Sequence, residues 1–454
     1  MLSVLLDLLL EGQFLPPASL QLNCPGFCVL PMLSAIQKNS IDLFGEPLWK
    51  AYCTVSVEVN KQGKVETRFL IVSKFRLYVV SPKPTGKVSI DVAHNVTFVK
   101  YLRFREDQLE FTIQRQANKF HTMIFYCSFI SASTLACSLA NSLIHYFPGW
   151  PLSSLLSVEP ISLLTNRTMV QYPIDYPCGN FRRTYAAVAD AENCPYVHEI
   201  VWDIEKIYSF HGWKTLNLND FSHFTARDLT PLILTMRYSL WFTGIWADSI
   251  RLSSSVVTAI TKAVGEWPVL RSIRLLQCGL KHDFITALTH SLAQNSSLHL
   301  DDLDLSFNDF DDYEGLRMGI TSFCISEQDL RNVKFYSTFE NLNKSQVVQL
   351  PTVRALRFRR CGLTFKTLRW IMNLFTASAS RKSSLKVLDV SGNTLKSKLD
   401  SKVLYGILPY TPELTELNLS FTDLVVPEVL WSEHHSIKNC RMQFSYEEKK
   451  TTDM

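Results

Sequence analysis

The sequence predicts an α/β solenoid preceded by a small β-barrel that closes with a helix, and three observations predict it. The first is a phrase of spaced leucines in the second half of the 454-residue chain. It runs Leu385, Leu388, Val390, Asn393, Leu395 in one copy and Leu300, Leu303, Leu305, Asn308, Phe310 in another. A third copy runs Leu414, Leu417, Leu419, Thr422, Leu424. This is the leucine-rich-repeat phrase, in which apolar residues of a short strand point inward, Asn, Cys or Thr turns the chain, and a helix returns it. The second observation is that the phrase recurs about every thirty residues, with a helical stretch such as 284–292 or 366–375 in the gaps. The third is β-type alternation from about Leu43 to Trp150, ending in apolar residues at helical spacing.

Residues 1–36 match no pattern and stay unassigned; Asp7 and Glu11 interrupt their apolar run, which argues against a signal peptide. Within 37–150, Tyr52–Val59 alternates and residues 60–63 turn. Thr67–Val80 then reads as one long strand or a broken pair. Further strands are expected at Asn95–Phe104, Gln108–Gln114 and His121–Cys127. The stretch Ser131–Tyr146 carries Leu135, Leu139 and Leu143 every fourth residue, and Phe147-Pro-Gly stops it. Several antiparallel strands followed by one amphipathic helix is the pleckstrin-homology order of elements. Residues 151–194, punctuated by Pro, Ser and Asn, read as a connector.

The repeats occupy 195–440, and 441–454 form a polar tail. The inward pairs read Leu216/Leu218, Ile250/Leu252, Ile273/Leu275, Leu303/Leu305, Val333/Phe335, Leu356/Phe358, Leu388/Val390 and Leu417/Leu419. Repeats this long, with helices on the convex side, point to the ribonuclease-inhibitor-like class. Strand periodicity places the residue between each pair on the concave surface. That row is Asn217, Arg251, Arg274, Asp304, Lys334, Arg357, Asp389 and Asn418, and its charged members are the candidate partner-binding residues.

Composition narrows the function classes. A net charge of +4 leaves no global footprint for nucleic acid, but 38–119 holds fourteen Lys/Arg against eight Asp/Glu. A basic first domain suits an anionic surface. Its candidate lipid-binding residues are Lys61, Lys64, Arg68, Lys74 and Arg76. The eleven cysteines show no disulfide framework, and Cys278 and Cys361 sit where the repeat phrase elsewhere uses Asn or Thr. No phosphate loop, nucleophile elbow or paired-histidine zinc helix is present. Cys24/Cys28 and His434/His435 beside Glu433 lack the partners of a metal site, so no cofactor, metal or catalytic residue is expected.

Several stretches are not general repeat consensus: 195–208 with Trp202-Asp203, Leu216–His223 with its Asn-Asp-Phe-Ser-His run, Arg227–Ile233, and Tyr238–Thr243 with Trp-Phe-Thr. With Pro177–Ala187 of the connector, they resemble the CARMIL family of actin regulators, the capping protein, actin-related-protein complex and myosin-I linkers. The resemblance covers roughly residues 40 to 430. It implies a scaffold at the inner face of the plasma membrane, a basic domain meeting anionic lipid, and actin-regulatory partners. Family members are longer, with a helical dimerisation region and a tail motif for capping protein built around Arg-Pro-Lys. That motif does not occur here, so the chain reads as a short or truncated member to which direct inhibition of capping protein is not assigned.

The sequence therefore predicts a non-enzymatic, cytoplasmic, cytoskeleton-associated scaffold that regulates actin assembly. Two alternatives stand beside it. Helical repeats of this period also build GTPase-activating proteins for the small nuclear-transport GTPase, and a plain interaction module needs no membrane role.

Overall fold

The computed structural model describes residues 53–61, 64–83, 88–116, 119–164, 177–295, 300–308, 354–357, 359–360, 385–393, 411–422 and 441–443. The chain divides into two compact units. Residues 1–176 and 186–193 group in the first, and 177–185 and 194–454 in the second.

The first unit is built on antiparallel pairing. Its strands are β1 (Cys53–Lys61), β2 (Lys64–Val72), β3 (Arg76–Pro82), β4 (Val88–Asn95), β5 (Val99–Arg105), β6 (Gln108–Gln116), β7 (Lys119–Tyr126) and β8 (Ser157–Glu159), in the spatial order β4-β3-β2-β1-β7-β6-β5-β8. β1 joins β7 through one register pair, Glu58 with Tyr126, and β8 lies parallel to β5. The helix Phe129–Tyr146 starts at Ser128, whose hydroxyl accepts the Ser131 N–H, and buries Leu135, Leu139 and Leu143 with the alanines between them. It packs against β1, β2 and β5. This arrangement is compatible with the expected pleckstrin-homology-like region.

Two readings are corrected here. β4 was not expected, and the strand expected over Asn95–Phe104 begins only at Val99, after a 3-10 turn over Val96–Phe98. Asn95 causes that break: its side-chain oxygen accepts both the N–H and the hydroxyl of Thr97 and tightens the chain. The expected connector is also less plain than its composition. Residues 157–159 enter the sheet as β8, and Phe181–Ala191 is helical.

The second unit is a staircase of parallel strands in chain order: β9 (Thr215–Asn217), β10 (Gly244–Asp248), β11 (Ser272–Leu276), β12 (Asp302–Asp304), β13 (Ala355–Arg357), β14 (Val387–Asp389), β15 (Glu416–Asn418) and β16 (Arg441–Gln443). Leu216, Ile245, Ile273 and Leu303 are register partners at spacings of 29, 28 and 30 residues. They are fully buried, as are Leu218, Ala247, Leu275 and Leu305 two residues on. The helices Ala226–Thr235, Ser254–Val264 and His282–Gln294 bury Leu232, Ile260 and Leu288. Thr225 and Asp228 form a reciprocal capping box on the first of these, and Ser253 caps the second.

The expected strand centred on Ile250/Leu252 is wrong. The strand is β10, with Ile245 and Ala247 inward. Ala247 is small and Trp246 lies between the two, so the rung lacks the leucine pair that marks its neighbours. The sheet passes directly from Leu303 to Leu356. The rung expected at Val333/Phe335, the side chains of Leu356 and Phe358, and Cys361 lie outside the described residues.

Three repeated devices join the rungs. The carbonyl two residues before each inward leucine accepts two successive N–H groups of the next rung, as Arg271 does from Asp301 and Asp302 and Arg354 does from Lys386 and Val387. Four residues after the inward position the chain turns left-handed, at Ser249, Gln277, Phe307, Arg360, Gly392 and Phe421, with φ from 48° to 71°. The N–H of this turn residue donates to the following rung: Gln277 to Ser306, Arg360 to Ser391 and Gly392 to Ser420. The third device is the buried Asn308, whose amide oxygen accepts from Cys278 and Leu280 at 2.9 and 3.1 Å. Its nitrogen donates to the carbonyls of Leu275 and Leu305 at 2.6 and 2.9 Å.

Replacing Asn308 by Ala orphans these buried groups and should destabilise the fold by about 3 kcal/mol or more, read from the urea midpoint. Gly392→Ala would place a Cβ 2.5 Å from Cγ of Arg360 in a left-handed residue and should cost about 1–2 kcal/mol. Gln277→Gly, which relaxes an equivalent position, should instead be neutral or stabilising. Equal losses for both glycine-site variants would refute the left-handed account.

Candidate functional site

The residues expected to meet lipid divide by partner. Arg68 is buried: its Nε donates to Asp91 at 3.0 Å, its Nη1 to the Thr67 carbonyl, and its Nη2 to Glu66. Arg76 donates to both oxygens of Asp190 at 3.0 and 3.1 Å and to Asn193. The same Asp190 accepts from Asn95 at 2.8 Å. Both guanidiniums thus hold the first unit together. Lys64 is exposed at the start of β2, Lys61 ends β1, and the Lys74 ammonium lies 5.1 Å from the Phe75 ring centroid. Arg103 and Arg105 are likewise engaged, both with Glu159. Hydrogen bonds from Tyr101, then Arg105 and Arg103, pull the Glu159 carboxyl down to about 2.

The parallel sheet has one face toward its helices and one away from them. Register partners on the outward face are Asn217, Trp246, Arg274, Asp304, Arg357, Asp389 and Asn418. Of the seven expected row members among the described residues, six therefore keep their place, whereas Arg251 does not. It is exposed in the loop after β10, against Gly279, and Trp246 takes its position in the row. Lys334 lies outside the described residues.

The row contains two kinds of residue. Asn217, Asp304, Asp389 and Asn418 each accept, through the side chain, the N–H two residues on, at 3.0–3.1 Å. These turns explain why Asn or Asp recurs there, and they bind the carboxylates of Asp304 and Asp389 to local backbone. Both aspartates are also nearly buried, and Arg359 reaches toward each of them. Their role is to end the strand.

Arg274 and Arg357 behave differently. Both converge on one carboxylate, Asp302, which sits on the strand between theirs: the Arg274 Nε to Oδ2 and the Arg357 Nη1 to Oδ1 distances are each 2.6 Å. Asp302 is flanked in register by Ser272 and Ala355, whose small side chains leave room for the diagonal reach. Asp301 is shared in the same way between Arg271 at 3.5 Å and Arg354 at 3.7 Å. Asp301, Asp302, Arg271, Arg354 and Trp246 were missed in the sequence. The diagonal pairing spans neighbouring rungs, which no single phrase displays, and Trp246 was hidden by the displaced strand.

Burial pushes the thiols of Cys127, Cys178 and Cys278 up to about 12, so they are protonated at neutral pH. Among the described residues no group of three metal-ligating side chains comes together, and no helix is long and apolar enough to cross a membrane. Cys24, Cys28, Glu433, His434 and His435 lie outside the described residues.

No family model matches the chain. The Mus musculus protein named "Capping protein, Arp2/3 and myosin-I linker protein 2" is 27% identical over 305 residues, 66% of this chain and 23% of that protein. Its Homo sapiens relative, linker protein 3, is 29% identical over 254 residues, 56% of this chain and 17% of that protein. A Dictyostelium discoideum protein named "Rho GTPase-activating protein gacW" is 23% identical over 319 residues, 69% of this chain and 27% of that protein. The chain thus spans well under a third of the length of each.

Two measurements test the assignments of side chains above. The carboxyl carbon of Glu159, followed by NMR, should titrate near pH 2, and Arg105→Ala should move its midpoint up toward the ordinary value of about 4.3. Because this carboxyl is depressed in the fold, its contribution to stability is present above the ordinary carboxylate range and is lost as pH falls toward about 2. Asp304→Ala should destabilise by about 1–2 kcal/mol while Asp304→Asn retains most of the turn; equal effects of the two in urea unfolding would reject the turn-capping role.

Proposed function

From the premise that the chain is a homologue of the CARMIL proteins, we propose that it is a non-enzymatic scaffold regulating actin filament assembly. In this reading the second unit is a leucine-rich-repeat solenoid of the ribonuclease-inhibitor-like class, and its outward sheet face receives actin-regulatory proteins. The observation that carries the reading is the 27–29% identity to proteins named as linkers of capping protein, Arp2/3 and myosin-I. The staircase supports it, because a row of outward side chains on stacked rungs is suited to binding.

The first unit is the membrane-facing part. Lys61, Lys64, Lys74, Arg68 and Arg76 are the set proposed to meet anionic lipid at the inner leaflet of the plasma membrane; Lys64 is exposed at the start of β2, whereas Arg68 and Arg76 also hold carboxylates. Lysines near such a surface contribute about 1 kcal/mol each, which gives weak and reversible association. The protein then works in the cytoplasm, at the membrane periphery, positioning cytoskeletal partners without a covalent step.

A second reading rests on the similarity to the protein named a Rho GTPase-activating protein, which extends over 69% of this chain. In that case the repeats would present a surface to a small GTPase. The two readings separate cleanly in solution.

The immobilised 454-residue chain should retain purified Arp2/3 complex or myosin-I and alter the rate of pyrene-actin assembly. Retention of neither, with an unchanged assembly rate, would reject the scaffold. Stimulated single-turnover GTP hydrolysis by a Rho-family GTPase would move the assignment to the second reading. On phosphoinositide-containing liposomes, the double variant Lys61→Ala/Lys64→Ala should lower partitioning about 30-fold, and high salt should abolish it. The double variant Arg68→Ala/Arg76→Ala should instead show its main effect on stability.

A further inference from the structure

Two hairpins of the first unit hold large apolar side chains out in water. β1 and β2 turn between Lys61 and Lys64, and β6 and β7 turn between Gln116 and Lys119. β1 and β7 are antiparallel and meet at Glu58 and Tyr126. From that pair β1 runs forward and β7 runs backward to its hairpin, so both hairpins lie on the same side of it. Phe120, next to Lys119, is 62% exposed, and Val65, next to Lys64, is 65% exposed. Ile124 is 49% exposed. Strand alternation puts Phe120 and Ile124 on the face of β7 opposite the buried Phe125, so neither fills a core position.

Charge distinguishes this end of the strands from the other. Lys64, Lys119 and Lys83, which directly follows β3, are all exposed here, and Lys61 closes β1. The acidic residues described at this end are Glu58, Glu66 and Asp91, and the buried Arg68 holds the last two. Glu110, across from Ile124, lies 3.9 Å from Arg103. The opposite end of β7 also has an exposed apolar pair, Phe129 and Ile130. Its neighbours are acidic instead: Glu106 and Asp107 form the β5–β6 turn, and the Asp107 carbonyl accepts the Cys127 N–H at 3.0 Å. An anionic surface would repel that end and attract the lysine-flanked one.

We propose that Phe120 and Val65 insert into the boundary between headgroups and acyl chains of an anionic bilayer, with Lys64, Lys83 and Lys119 against the surrounding lipid phosphates. This rests on the membrane reading above and adds an apolar anchor to it. Single side chains standing out from hairpin ends suit a bilayer, which accepts a protruding group without a matching surface, whereas a protein partner would need a concave complement for each. Lysine carries a hydrated ammonium on a long apolar stem, so its charge stays at the phosphates while the stem follows the ring inward. Charge brings the protein to the surface, and burial of the apolar side chains adds a factor that salt does not screen.

The test is sedimentation of the full 454-residue chain with vesicles of phosphatidylcholine and phosphatidylserine in equal parts. Phe120→Ala should lower partitioning about tenfold and Val65→Ala about threefold, by the same factor at every salt concentration where binding is measurable. Ile130→Ala, at the acidic end, should change nothing. Phe120→Trp should bind at least as well as the parent chain, and the emission it adds should be quenched by brominated lipid. Unchanged partitioning of Phe120→Ala, an equal loss in Ile130→Ala, or an added indole that brominated lipid does not quench overturns the inference. If that happens while Lys61→Ala/Lys64→Ala still lowers partitioning, the electrostatic membrane reading stands without the anchor. A loss in Phe120→Ala with no effect of the lysine variant keeps the anchor and removes the electrostatic reading. No sedimentation of the parent chain overturns both.

Discussion

The second unit depends on satisfying backbone polar groups at places where its parallel strands end. A strand of three residues makes few ladder bonds, and its ends would be buried without partners if the rungs did not answer for one another. Asn308 does so by closing four backbone groups of two successive rungs with one amide. Cys278 and Thr422 occupy the equivalent buried place with less capacity: Thr422 reaches the Leu419 carbonyl, and the Cys278 thiol lies near those of Leu276 and Ala247. Asn393 bonds the carbonyls of its own rung.

That constraint also shapes the outward face. Once the chain must turn sharply after each strand, Asn or Asp at the strand's last outward position is useful for the turn, and four row members are used in this way. Charge at such positions is poor evidence for a partner. Positions occupied by Trp246, Arg274 and Arg357 make no such turn and project outward instead, paired diagonally through Asp302. Strand termination thus accounts for four members of the row, and diagonal ion pairing for Arg274 and Arg357.

The first unit gives a parallel lesson about charge. Its excess of lysine and arginine over 38–119 describes the composition of the segment, not the surface it presents. Arg68, Arg76, Arg103 and Arg105 each find a carboxylate, and for Arg76 that carboxylate is Asp190, far along the chain. A balance counted within one segment could not include it. The guanidinium fork favours such bidentate, partly buried pairing, while a lysine such as the exposed Lys64 of β2 carries a strongly hydrated point charge.

Leucine spacing in the sequence determined the inward face of most described rungs, the helical return at His282–Gln294, and the buried leucines of the Phe129–Tyr146 helix; the return expected at 366–375 lies outside the described residues. These follow from local periodicity, because a side chain's direction along a strand or helix is set by its number in the chain. Residue types alone could not find β10, where Ala247 replaces a leucine, nor the left-handed turns at Ser249, Gln277, Phe307 and Arg360, none of which is glycine. They could not pair Asp302 with arginines one rung to either side or Arg76 with Asp190. Only tertiary structure decided those, since the hydrogen bonds and charges involved come from chain segments whose proximity is created by stacking and folding.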